Sequence, residues 1–334
     1  MQQLQRPRKG MKDQLPADHP ARVFAFACPA CKTPLAPVDE NSFACPYDGR
    51  IFSREDGIWR FLLTEREAYF NQFIEEYGAI RRLEGRGNGN PDFYRSLPYQ
   101  DLTGKWARDW RIRAISFSSF VSNFLIPFED QFSEPLNIID MGAGNGWLSN
   151  RLTLRGHRVI AIDLQLDQFD GLGASSHYEA SFAPIQAEFD RLPVSPGQFD
   201  LVIFNASFHY ATDYISTLRE ALFAIKVTGR VIILDTPLYK KAESGVRMVA
   251  ERMAEFTARF GFPSDAIPSQ NFLTEDQIKA IGSELGLRWQ KLEPGFGLKW
   301  ALRPWLAALR HQREPATFPI LIGMKIADHQ FSQQ

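Results

Sequence analysis

Three cysteines, Cys28, Cys31 and Cys45, are all that the 334 residues contain. So few cannot build a disulfide framework in a chain of this length. Long apolar runs are missing too: none approaches the roughly 20 residues a membrane helix needs. The opening residues Met1 to Gly10 lack the apolar core of a signal peptide. These absences point to a reducing compartment, the cytoplasm, and to no membrane partner. Charge of one sign is also lacking. The formal net charge is −1, so nothing global draws the chain to nucleic acid or to an anionic lipid surface. Basic residues cluster only locally. Arg6 to Lys12 reads as a solvated tail and Lys105 to Arg113 as a helix face. No glycine loop is followed by Lys-Ser/Thr, which excludes a Walker loop for a nucleoside triphosphate.

What is present centres on Leu136 to Leu148. A short apolar strand leads to Asp140, then to glycines at alternate positions (Gly142, Gly144, Gly146), then to a helix. Alternate glycines let the backbone turn tightly and approach a ligand, and the following helix offers free N–H groups. From residue 136 onward apolar strands alternate with helices. The strands are expected at Leu136–Asp140, Arg158–Asp163, Ala183–Ala187, Asp200–Asn205 and Arg230–Asp235, with two more at 287–292 and 318–326. Helices fit between them, as at Trp147–Arg155 and Tyr214–Ile225. Such alternation predicts an α/β fold with a doubly wound, mainly parallel sheet.

The rest divides by composition. Residues 1–22 are polar and proline-rich, a disordered tail. Residues 23–63 read as a small β module holding Cys28-Pro-Ala-Cys31 and Cys45-Pro-Tyr-Asp48. Residues 64–126 form a helical linker or lid, with Tyr69, Phe70, Phe73, Ile74, Tyr77 and Ile80 at helical spacing. Its second helix, Gly104 to Ile126, should end at Pro127. The main domain occupies 127–334, and an insertion at 236–275 carries an amphipathic helix (Val246, Val249, Met253, Phe256, Phe260) that could cap a pocket.

The glycine spacing selects the cofactor. In a dinucleotide fingerprint the third glycine would fall at 147, where the chain has Trp147. The pattern Asp140-x-Gly142-x-Gly144-x-Gly146 instead resembles the first motif of class I S-adenosylmethionine-dependent methyltransferases, of the ubiquinone/menaquinone type. Three later segments agree: Val159 to Asp163, Gln186 to Pro193, and Gln198 to Asn205. The resemblance covers residues 136–235 well. It implies a seven-stranded Rossmann-like sheet, mostly parallel with an antiparallel last strand, and S-adenosyl-L-methionine as cofactor. It further implies Asp140 and the loop at the cofactor's amino-acid end, Asp163 on the ribose, Glu188 (Asp190 less well matched), Leu164 and Phe189 at the adenine, and Asn205 beside the transferable methyl. His209, just after the fourth strand, is the candidate general base, or else a residue that shapes the pocket. Asn205-Ala-Ser-Phe lacks the prolines of an Asn/Asp-Pro-Pro-Tyr/Phe motif, which disfavours amino-group methylation of a base or glutamine.

The N-terminal module is similar to zinc-ribbon-like segments ahead of some bacterial methyltransferases. It departs from four thiolates at Asp48, and zinc sites favour sulfur. Three readings stay open: a ribbon folded without metal, a zinc site of Cys28, Cys31 and Cys45 completed by Asp48 or water, or cysteines that are merely small buried residues. The expected activity is methyl transfer to a small-molecule acceptor. The alternatives are an RNA methyltransferase that grips RNA with the ribbon, and a non-catalytic cofactor-binding module.

Overall fold

The computed structural model describes residues 23–326. The tail expected over residues 1–22 lies outside them. The first four strands, β1 (Ala36–Asp39), β2 (Ser42–Ala44), β3 (Ile51–Glu55) and β4 (Ile58–Arg60), form an antiparallel ribbon. Helix α1 (Thr64–Leu83) follows, with Glu65 and Glu67 in its first turn and Arg81 and Arg82 in its last, an order that suits the helix dipole. After α2 (Pro91–Ser96) comes α3 (Ala107–Phe120).

Pro127 does not stop α3 as expected. A π-helical turn at Val121–Leu125 leads into Ile126–Glu129, with Pro127 in that segment's first turn. The wider turn absorbs the missing N–H donor, so the chain bends rather than breaks. Trp110, Phe117, Phe120, Leu125 and Phe128 then pack into one core with Ile138, Trp147 and Leu148.

The strands β5 (Asn137–Met141), β6 (Arg158–Asp163), β7 (Ala183–Gln186), β8 (Phe199–Asn205) and β9 (Ile225–Leu234) run parallel. Helix α4 (Trp147–Leu154) joins β5 to β6, and α5 (Tyr214–Ala224) joins β8 to β9. Asp213 caps α5 by accepting from the N–H groups of Ile215 and Ser216. Most residues of each strand are buried, and apolar ones predominate because both faces are covered. Ile139, Ile162, Val202 and Ile233 face one core, and Ile138, Ala161, Ile203 and Ile232 face the other. Next come β10 (Leu238–Tyr239), α6 (Ala242–Phe260), β11 (Leu273–Thr274), α7 (Glu275–Leu285), β12 (Leu287–Leu292) and β13 (Ile320–Lys325). The last strand is antiparallel to both of its neighbours, β9 and β12, as expected.

The sheet has eleven strands in the order β1-β2-β3-β4-β7-β6-β5-β8-β9-β13-β12, seven of them beyond the ribbon. The ribbon supplies the other four. Its β4 pairs in parallel with β7, Trp59 opposite Ile185 and Arg60 opposite Gln186. This covers what would otherwise be an open sheet edge. Phe26, Cys28, Cys45, Phe52, Trp59 and Phe61 join the same core as Ile185 and Phe199. The order reverses between β5 and β8, which opens a crevice at their carboxyl ends, the usual ligand position in such sheets.

Candidate cofactor cleft and cysteine site

At the crevice lies a cleft of about 790 Å³. Gly142, Gly144, Asp163, Leu164, Glu188 and Phe189 line it, as expected from the sequence. Helix α1 roofs it with Phe70, Phe73 and Tyr77, and Ser207 and Tyr210 close the side beyond β8.

The glycine loop is built for close approach. Gly142 has φ of 73°, and a Cβ there would stand 2.4 Å from Ser207 Cβ. No side chain fits unless the loop moves. Gly146 (φ 76°) caps the start of α4 with Phe182 against it. The amide of Gly144 donates to Asp163 Oδ2 at 2.8 Å, and that of Gln165 to Oδ1 at 2.8 Å. Burial raises the Asp163 carboxyl above its ordinary range, and these two bonds oppose the shift. Asp163 therefore presents fixed carboxylate oxygens at the cleft wall.

Three residues expected in the site stand elsewhere. Asp140 is 1% exposed and does not line the cleft; it accepts from Ser149 Oγ at 2.7 Å, which ties β5 to α4. Burial pushes its carboxyl up to about 7. Asn205 ends β8 but leaves the lining to Ala206 and Ser207. His209 is buried outside the cleft lining, and its Nδ1 has no hydrogen-bond partner among the described residues. Burial, with the charges of Arg252 and Arg113, lowers its pKa to about 3. A histidine that holds a proton so weakly is a poor general base, so the pocket-shaping reading fits better.

Glu188 has a partner the sequence did not announce. Arg66 of α1 forks onto it at 2.8 and 3.0 Å, and Arg191 stands 3.3 Å away. Arg81, also on α1, forks onto Asp170. Arg66 and Arg81 bracket Phe70, Phe73 and Tyr77 on one face of α1; the spacing is in the sequence, but the partners Glu188 and Asp170 are not near in it. On α3, Ser116 Oγ donates to Asp235 Oδ1 at 2.6 Å. Arg113 has no ion pair or hydrogen bond among the described residues, and its guanidinium lies 4.8 Å from the Trp110 ring.

The cysteine site consists of two matching knuckles. The N–H of Lys32 returns to Cys28 O at 2.8 Å, and that of Gly49 to Cys45 O at 2.9 Å. Lys32 and Gly49 both have positive φ. Asp48 thus stands where Cys31 stands in the first knuckle. Cys28 Sγ is 3.4 Å from Asp48 Oδ2, Cys31 Sγ is 3.5 Å from Cys45 Sγ, and all four ligand atoms lie within 4.8 Å of one another. A tetrahedral ion with bonds of about 2.0–2.3 Å needs edges close to these, so the residues fit zinc. Arg50 also engages Asp48 Oδ2, at 2.5 Å.

Comparison with known proteins agrees with this arrangement. Residues 139–233 match the family described as methyltransferase domain. That segment runs from β5 to β9 and carries Gly142, Asp163 and Glu188. The match is in keeping with the class I resemblance read from the sequence. Among curated relatives, a malonyl-[acyl-carrier protein] O-methyltransferase of Erwinia billingiae (strain Eb661) is 26% identical over 164 residues, 48% of this chain and 58% of the relative. A demethylmenaquinone methyltransferase of Lactococcus lactis subsp. lactis (strain IL1403) is 30% identical over 118 residues, 32% of this chain and 46% of the relative. The chain thus spans less than two thirds of the length of these relatives. Among solved structures, geranyl diphosphate C-methyltransferase from Streptomyces coelicolor A3(2) aligns with a TM-score of 0.44 at 15% identity, over 61% of this chain and 79% of that one. Among the described residues, no helix is long and apolar enough to cross a membrane.

Proposed function

We propose that the protein transfers a methyl group from S-adenosylmethionine to a small-molecule acceptor. The observation that carries this reading is the convergence of the glycine loop, Asp163 and Phe189 on one cleft at the sheet's switch point. When bound, S-adenosylmethionine supplies a methyl on a sulfonium, already a good leaving group. The protein's task is then orientation and exclusion of water. Asp163 is suited to a ribose diol, since a carboxylate can accept two hydrogen bonds. Glu188, Leu164 and Phe189 are suited to an adenine. The amides of the Gly142–Gly146 loop are suited to a carboxylate. Phe70, Phe73 and Tyr77 of α1 shield the cleft from solvent.

With His209 neutral and poorly basic, this reading uses no general base. It therefore favours acceptors that arrive ionised or that lose a proton to solvent. A small acceptor is favoured over RNA because the near-neutral chain has little to draw a polyanion. Calorimetric titration with S-adenosylmethionine tests the reading. Saturable one-site binding is expected, and no binding contradicts it.

Cys28, Cys31, Cys45 and Asp48 would hold a structural zinc, because the two knuckles supply one tetrahedral set. The ion would take no part in the reaction; it would fix the ribbon against β7.

A further inference from the structure

A second chamber, of about 650 Å³, adjoins the cleft between α1 and α6. Phe73, Tyr77, Tyr210 and Ile267 belong to the walls of both. Its lining includes the apolar Ile80, Phe256 and Ile267. It also includes three arginines, Arg81, Arg86 and Arg252, and one acid, Glu84. Two of these cations are matched. Arg81 forks onto Asp170, and Arg86 pairs with Glu84 at 2.8 Å. Arg252 is not: among the described residues it has no ion pair or hydrogen bond, and its Nε is buried without an acceptor. Its one recorded contact is the Phe256 ring, 5.9 Å from the guanidinium carbon.

A buried guanidinium N–H without an acceptor is costly, and more so than a neutral donor. The planar fork of arginine fits a carboxylate or phosphate better than any neutral group. Position adds to the case. Tyr210, shortly after β8, lines both the cleft and the chamber that Arg252 lines. So the unmatched charge stands on the side of the cleft where the expected methyl-transfer position lies.

We propose that this chamber receives the methyl acceptor, and that the acceptor carries an anionic oxygen group, a carboxylate or phosphate ester, paired with Arg252. Its apolar portion packs on Ile80, Phe256 and Ile267. The proposal rests on reading the adjoining cleft as the S-adenosylmethionine site.

The test is a titration of protein saturated with S-adenosylhomocysteine, using octanoate, octyl phosphate and octanol as probes. At least one anionic probe should bind about tenfold or more tightly than octanol. Arg252→Gln should remove that advantage and leave S-adenosylhomocysteine affinity within about twofold; Arg252→Lys should restore part of it. The preference between octanoate and octyl phosphate distinguishes carboxylate from phosphate. Octanol binding as tightly as both anions overturns the proposal, as does binding of no probe, or an unchanged anion affinity in Arg252→Gln. The octanol comparison uses the wild-type protein alone, so it decides even if the variant does not fold. If S-adenosylhomocysteine itself does not bind, the cofactor reading fails, and the same probes on the unliganded protein still decide for or against Arg252.

Discussion

Asp140 and Asp163 belong to adjacent strands, yet only one of them meets the cleft. Asp140 is enclosed with Ser149, and its carboxyl is raised to about 7. In the unfolded chain it ionises near 3.9. Between those values the folded protein keeps a proton that the unfolded chain has lost, so the Asp140 contribution lowers stability as pH rises from about 4 to about 7 and is flat above. Asp140→Asn keeps an acceptor for Ser149 and removes the charge. Its melting temperature relative to wild type should therefore rise between pH 5 and pH 8. Parallel pH profiles for the two proteins would refute this. The sequence marked Asp140 through the motif but could not say which way it faces, because one residue along a strand changes the face. Arg66 and Arg252 were harder still. The Arg66–Glu188 pair spans 122 residues, and an unmatched Arg252 is visible only once every neighbour is in place.

The glycine loop is the element most fully readable in advance, since strand, alternate glycines and helix follow one another locally. The structure adds which glycine matters most. Gly142 and Gly144 both have positive φ, but a Cβ at Gly142 meets Ser207 at 2.4 Å, whereas one at Gly144 meets nothing within 4 Å. Each alanine substitution carries a left-handed backbone cost of about 1–2 kcal/mol. Only Gly142→Ala must also displace Ser207, whose hydroxyl donates to Met141 O. Gly142→Ala should weaken S-adenosylhomocysteine binding about tenfold more than Gly144→Ala and melt at a lower temperature. Equal losses in calorimetry and melting would show that the Ser207 contact is unimportant. The continuation through Pro127 is not legible in local pattern: the π turn comes with Phe124 stacked on Phe128, a packing that no local rule reports.

At the scale of the whole molecule, the ribbon is part of the sheet. Residues 23–63 read locally as a small β module, but the β4–β7 pairing joins segments more than 120 residues apart, beyond the reach of local pattern. Because Phe52, Trp59 and Ile185 share one core, metal loss in the ribbon should be felt throughout. Purified protein should contain about one zinc per chain. A strong chelator should lower a single melting transition rather than produce a second one. Metal-free protein, even after growth with added zinc, would contradict the four-ligand site.

The most direct measurement is calorimetry with S-adenosylmethionine and S-adenosylhomocysteine on wild type and Asp163→Ala. Wild type should bind both at one site, and Asp163→Ala should bind each about tenfold or more weakly, the loss of charge-assisted hydrogen bonds. Wild-type protein that binds neither, or an Asp163→Ala variant that binds both as tightly as wild type, would contradict a cofactor site built on the glycine loop and Asp163.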